Sequence, residues 1–445
     1  MKGLRYIPIL CALAVTLAAS ALNSSPAREA IVPLAGKETG EGDRLRWRSG
    51  SITKRIGPFA TDRQALPVVL RLADYPQFAE AKRAQLGVYL NGKEIASQLD
   101  DLNGDGTLDE LAFLIDVPAG KALTVTVKTA RKHRTFEPEV HAQMFLKSKE
   151  PKDGFTPHTA EGKSFYIKPV TEQTFAPGED SYHSMHHHGV AFESAIMAYR
   201  IYFDKKQTID VYAKKTPRLE LDACKWYPTD EQLADGFGDD ILRVSGYIGV
   251  GACKPWNGKK MVHFDEQATR TQRIVSQGCI RTICEVVCEG GWGGLWTTVT
   301  TRYTLYARHR DVIAEVFSNL PQKQEGDLVT GVQKIGKPDY LTLPPSDSIH
   351  GAIVASWGTA WPVNDTVKYA KETAGLAVYV PKQFVQQCVQ DANNNLVLLT
   401  ASPYIKYFFT VVSLKENQPP ATTDNQFFKY VELWAKELEQ SGLSY

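Results

Sequence analysis

The stretch AYRIYFDKKQTIDVYAKK, residues 198–215, alternates apolar and polar side chains on both sides of a charged break at 205–207. Alternation with period two marks a half-buried strand, and two such runs around a short polar turn predict a hairpin. The pattern recurs outward from there. ILRVSGYIGVGA (241–252) and LWTTVTTRYTLYAR (295–308) repeat it downstream. LPVVLRL (66–72), GVYLNGKEI (87–95), ELAFLID (110–116) and LTVTVKT (123–129) repeat it upstream. Asn91-Gly92 between two apolar runs favours the positive backbone angles of a tight hairpin turn.

Helix signals are scarce. DEQLADGF (230–237) is short, whereas TDNQFFKYVELWAKELEQSG (423–442) is complete. In the latter, Thr423 and Gln426 form a capping box, Phe427, Val431, Trp434 and Leu438 an apolar stripe, and Gly442 the stop. The fold class expected is mainly β. A small N-terminal β-sandwich spans 46–130, a linker or strap 131–162, and a large antiparallel domain with a C-terminal helix 163–445. Two broad sheets packed face to face suit the large domain.

The chain holds 51 basic and 50 acidic side chains, net +1. That balance gives no reason to expect nucleic acid or an anionic membrane as partner. Lys2 and Arg5, the apolar run Ile7–Leu22 and the small residues Ala19-Ser20-Ala21 read as a cleaved signal peptide over 1–21. A flexible leader over 22–45 follows, and the protein is expected to be exported, to the periplasm or beyond. No other stretch is apolar for long enough to cross a bilayer. Roughly 420 residues then remain, enough for one large core and an accessory module. Cys224, Cys253, Cys279, Cys284, Cys288 and Cys388 lack any standard zinc spacing and read as core thiols or one or two bridges between strands.

Three constellations carry chemistry. In DDLNGDGTLDE (100–110), Asp101, Asn103, Asp105 and Asp109 occupy positions 1, 3, 5 and 9 of a calcium loop, with Gly106 at the bend. Ala112 stands where a closing glutamate belongs, so the loop is either a structural calcium site or a turn that satisfies its own backbone. SMHHHGVAFESAIMAYR (184–200) places three histidines ahead of Glu193, Tyr199 and Arg200. If extended, His186 and His188 share one side and His187 takes the other. Three readings stay open there: a divalent metal at His186, His188 and Glu193; an inert polar loop; or metal-free acid–base work by His187 or His188 with Glu193 or Tyr199. Finally, WYPTDEQLADGFGDDILRVSGYIGVGACKPWNGKK (226–260) and GGWGGLW (290–296) combine carboxylates with rings. Trp226, Asp239, Asp240, Trp256, Trp292 and Arg302 are the substrate-binding candidates, since rings stack on sugar faces and acids bind hydroxyls.

Several of these motifs, in order, resemble one family: QLDDLNGDGTLDELAFLIDVPAG (98–120), HHGVAFESAIMAYRIYFDKKQTIDVYAKKTP (187–217), GDDILRVSGYIGVGA (238–252) and TRYTLYA (301–307). The family is domain of unknown function 4861. The resemblance implies a bacterial protein from polysaccharide utilisation, alongside enzymes acting on uronic acids. It also implies that the large domain is a β-super-sandwich like those of sugar mutarotases and some polysaccharide lyases. His187, His188, Glu193, Tyr199 and Arg200 match its central motif, while Cys279 stands where that pattern has a proline. The function expected is an exported carbohydrate-active enzyme, a lyase or glycoside-cleaving enzyme on acidic, pectin-like carbohydrate that needs no cofactor for its chemistry. Arg200 would pair with the substrate carboxylate. The alternatives are a glycan-binding protein without catalysis and a metal-dependent sugar isomerase.

Overall fold

The structure is a computed structural model that describes residues 50–78, 86–129, 134–265, 267–292, 295–319, 328–367 and 369–441. The signal-peptide and leader expectations, 1–21 and 22–45, lie outside the described residues, as does Gly442.

Every strand pairing between the named strands is antiparallel, so the β expectation is met in kind. The N-terminal module has two sheets. One runs Ser51–Ile56, Leu123–Thr129, Leu86–Leu90, Lys93–Ile95, and the other Arg63–Arg71, Glu110–Val117, Ser97–Asp100. Val68, Leu70, Leu111, Phe113, Ile115, Val125 and Val127 alternate inward from both sheets to make its core. The turn Asn91-Gly92 has φ of 52° and 78°, as its sequence requires.

The large domain is a super-sandwich. Its nine-stranded sheet runs Glu172–Phe175, Thr269–Gln277, Arg281–Trp292, Leu295–Tyr306, Val312–Ser318, Tyr404–Ser413, Glu372–Val380, Ala352–Ala360, Asp339–Leu343. Across the main core lie a five-stranded sheet (Asp239–Asp240, Ile209–Ala213, Met197–Tyr202, Gly189–Ser194, Val140–Gln143) and a four-stranded one (Lys254–Pro255, Leu328–Gln333, Asn394–Leu399, Val385–Gln390). Cys284, Val286, Tyr303, Val378 and Phe409 from the first meet Phe192, Tyr199 and Val211 from the second and Val329, Val397 and Leu398 from the third. The segment 131–162 is more than a linker. Val140–Gln143 is an edge strand of the five-stranded sheet, and Phe145–Ser148 and Thr156–Ala160 join Lys163–Pro169 in a small sheet of their own.

The other face of the nine-stranded sheet is divided. The helix Asp424–Ser441 lays Phe427, Val431, Trp434 and Leu438 on Ile353, Tyr379 and Phe408, a burial that contributes roughly 1.5–3 kcal/mol per large side chain. Thr423 caps it, its hydroxyl accepting from the Gln426 N–H at 3.3 Å. Farther along, one registered row crosses six strands as Glu172, Arg273, Glu285, Arg302, Glu315 and Lys406. The charges alternate in sign at every step, which favours neighbours directly opposite one another. Beside it Arg281 joins Asp100 and Glu110 of the N-terminal module, both at 2.7 Å, in a buried ion cluster. The six cysteines among the described residues are unbonded thiols.

Candidate functional site

Strand alternation sorts the hairpin of the five-stranded sheet. Val190, Phe192, Tyr199 and Ile201 enter the main core, while Ala191, Glu193, Arg200 and Tyr202 face outward under the segment that carries Leu221, Cys224 and Trp226. The histidines precede this hairpin in a tight turn, not in an extended run. His187 and His188 adopt φ of 43° and 64°, the left-handed region. Gly189 completes the turn at φ 154°, where a Cβ would fall 2.0 Å from the Ile201 carbonyl oxygen. His186 and His187 stay together, ring centroids 5.0 Å apart and both edge-on to Phe145, while the His188 ring turns to Tyr182.

His186 sets Nε2 3.2 Å from the Lys225 carbonyl and its ring edge-on to His158 at 4.9 Å. Burial first, then His158, pulls its pKa down to about 3. His187 is 1 % exposed, and neither ring nitrogen has a hydrogen-bond partner among the described residues; burial holds it well below the ordinary histidine range. His188 is half-buried and stacks on Tyr182 at 3.9 Å with the planes 7° apart. Its Nδ1 lies 2.9 Å from the Tyr182 carbonyl oxygen. A carbonyl only accepts, so Nδ1 carries the proton and Nε2 keeps its lone pair. Burial and the nearby Arg200 charge pull this pKa to about 4, leaving a neutral imidazole at pH 7.

Arg200 sits at the base of the site and is 3 % exposed. Its guanidinium donates to Asp210 and, at 3.2 Å, to Asp240. It also donates to the hydroxyls of Tyr202 at 2.9 Å and Tyr227 at 3.1 Å. The Trp226 ring lies 4.4 Å from its centre, and the indole N–H donates to Asp240 at 3.2 Å. The fork expected to hold a substrate carboxylate is thus already filled by two acids and two phenols. Burial and the Asp210 charge push Asp240 up, while Arg200 opposes them.

Other candidates fall away from this cluster. Glu193 is fully buried and binds Lys214 and the backbone N–H groups of Glu220 (2.9 Å) and Leu221 (2.9 Å). It anchors the covering segment. Tyr199 points into the core and donates to the Arg310 carbonyl oxygen. Asp239 accepts from the Asp240 N–H at 2.8 Å and does not contact Arg200. Trp256 is half-buried against the main core, and Arg302 donates to Glu285 at 2.7 Å within the charge row of the other sheet. The Trp292 side chain lies outside the described residues. Its neighbour Trp296 is 68 % exposed.

The residues of the metal reading have other partners in the structure. His186, His188 and Glu193 do not converge, and among the described residues no three His, Cys, Asp or Glu side chains form a metal-holding group. In the 101–109 loop, Asp101 accepts from Gly104 and Gly106 (2.8 Å each), Asn103 from Asp105 (2.9 Å), Asp105 from Thr107 (2.7 Å) and Asp109 from Leu102 (2.7 Å). The loop's own backbone donors hold its acids.

The model of the family described as domain of unknown function (DUF4861) matches residues 57–441. The chain belongs to this family. No curated protein matches this DUF4861 chain. Among solved structures it is similar to a protein in glycosyl hydrolase family 38 from Enterococcus faecalis, with 8 % identity and a TM-score of 0.40 over 87 % of this chain and 46 % of that one. An α-mannosidase from Enterococcus faecalis V583 gives 9 % identity and a TM-score of 0.37 over 88 % and 46 %. The chain spans under half the length of either. No helix among the described residues is long and apolar enough to cross a membrane.

Sequence reading missed Tyr182, Tyr202, Asp210 and Tyr227, which with His188 and Arg200 make up the cluster. A signal was present for two of them. Tyr202 stands two residues after Arg200, hence on the same strand face, and Asp210 lies on the second arm of the same hairpin. Lys206, in the hairpin turn, sits 4.9 Å from the Tyr182 ring and 5.2 Å from the Tyr202 ring.

Proposed function

We propose that this protein binds an acidic carbohydrate over Tyr182, His188, Tyr202 and Tyr227 and performs proton transfer there with His188 as the base. The observation that carries the reading is the His188 geometry: a neutral, half-buried imidazole, stacked on a tyrosine, its proton fixed on Nδ1 and its Nε2 without a partner among the described residues. The rings of Tyr182, Tyr202 and Tyr227 supply flat faces for a sugar. Lys206, whose ammonium lies over the Tyr182 and Tyr202 rings, favours a carboxylate-bearing one.

In a β-elimination, Nε2 takes the proton on the carbon next to the substrate carboxylate. The electron pair left behind forms a carbon–carbon double bond as the adjacent carbon–oxygen bond breaks, and the imidazolium returns its proton to the departing oxygen. Arg200 is a positioning residue here. It orients the Tyr202 and Tyr227 hydroxyls and is not itself the carboxylate clamp. The N-terminal sequence supports export.

Incubation with pectic and other acidic oligosaccharides, followed by mass and by absorbance of unsaturated products, tests the proposal. Product from uronate-containing oligomers and none from neutral ones is the expected result. Binding without any product would favour the second reading, a non-catalytic glycan binder, for which the exposed Trp296 is the supporting observation.

A further inference from the structure

A cavity of about 570 Å³ lies between strand Arg63–Arg71 of the N-terminal module, the turn 307–311 and the last helix. Small-molecule sites run from roughly 300 to 1,000 Å³. None of the residues lining it belongs to the His188 site. One side is apolar, with Ile313, Phe408, Leu433 and Trp434, and the other carries Arg63, Arg308, His309 and Arg310.

These cations are not equivalent. Arg310 donates to both carboxylate oxygens of Glu416, at 2.8 and 2.9 Å. His309 lies 3.0 Å from Asp311 through Nδ1 and 2.8 Å from the Ala65 carbonyl through Nε2. Arg63 is held by Thr61 and Gln440, at 2.6 Å each. Arg308 is 46 % exposed, and its acids, Asp116 and Glu139, stand at 3.7 and 3.9 Å. Its backbone is in the left-handed region at φ 61°. The acids lining the cavity are engaged too. Asp311 faces His309, Glu437 is 3.6 Å from Arg63, and Asp62 accepts from the Ala119 N–H at 2.8 Å. Arg308 is therefore the cation a ligand can recruit most easily, since long, exposed ion pairs contribute little. Leu433, 54 % exposed on the helix, adds apolar surface to the same cavity.

We propose that this cavity is a second binding site, for a small ring-borne carboxylate. The Arg308 guanidinium pairs with the carboxylate, and the exposed Leu433 covers the flat face of the ring. A sugar acid and an aromatic acid share that chemistry.

Calorimetric titration of the full chain with glucuronate, benzoate and, as neutral control, glucose tests it. At least one acid binds saturably at millimolar concentration or tighter, glucose does not, and the acid that binds names the source. Arg308→Gln weakens that binding by about tenfold or more, because a charge-assisted pair is lost. Leu433→Asp weakens it as well. The proposal is overturned if neither acid binds below about 10 mM, if glucose binds equally, or if Arg308→Gln binds like the wild type.

Discussion

Arg200 and Asp210 face each other directly across neighbouring strands, and the guanidinium donates to the carboxylate in a pair that solvent barely touches. Buried this deeply, the pair has the character of an internal strut. Arg200→Met leaves Asp210 and Asp240 without their cation and is expected to lower stability by about 3–5 kcal/mol. Adding Asp210→Asn should restore part of that loss, because the two changes remove one shared interaction. Denaturant unfolding of the double-mutant cycle measures it, and strictly additive losses would contradict the strut.

The histidine turn should be visible in acid. His186 and His188 have folded pKa values of about 3 and about 4, and His187 lies well below its ordinary 6.5. The unfolded chain therefore binds protons that the folded one refuses. Stability is fully present above about 6.5 and falls as pH drops toward the folded values. His187→Phe keeps a ring and removes two nitrogens without a hydrogen-bond partner among the described residues. It is expected to hold or raise the melting temperature at pH 7 and to flatten the acid limb. An unchanged acid limb would show that His187 is not part of this effect.

The loop 101–109 is expected to behave as a self-satisfied turn. Chelator or added calcium should leave the melting temperature where it is, because backbone N–H groups already hold Asp101, Asp105 and Asp109. A rise of several degrees with calcium would instead establish a structural cation there.

Period-two alternation made the strands legible, and it also assigned Arg200 and Tyr199 to opposite faces. Partners were harder to read. A turn centred on Lys206 pairs Arg200 with Tyr212, whereas the observed register pairs it with Asp210. Parity kept the face right while the neighbour shifted by two. The histidines escaped for a different reason. Their turn depends on left-handed angles at His187 and His188, which His-His-His does not advertise, and on Gly189, whose hydrogen atom is all that fits beside the Ile201 carbonyl. Glu193 looked catalytic because titratable residues cluster around it in sequence. Its partners Lys214, Glu220 and Leu221 come from a covering segment some twenty or more residues downstream, visible only once the chain has folded back.

As the neutral base of a proton-transfer site, His188 is open to one decisive measurement, turnover of an acidic oligosaccharide by His188→Gln. Glutamine at this position keeps a polar side chain and removes the imidazole lone pair. Turnover should fall by about a hundredfold or more, with melting temperature and oligosaccharide affinity close to wild type. The wild-type rate should persist down to the His188 value of about 4 and decline below it. Wild-type turnover by His188→Gln, or a wild-type rate that already collapses around the ordinary histidine value of about 6.5, would contradict the account.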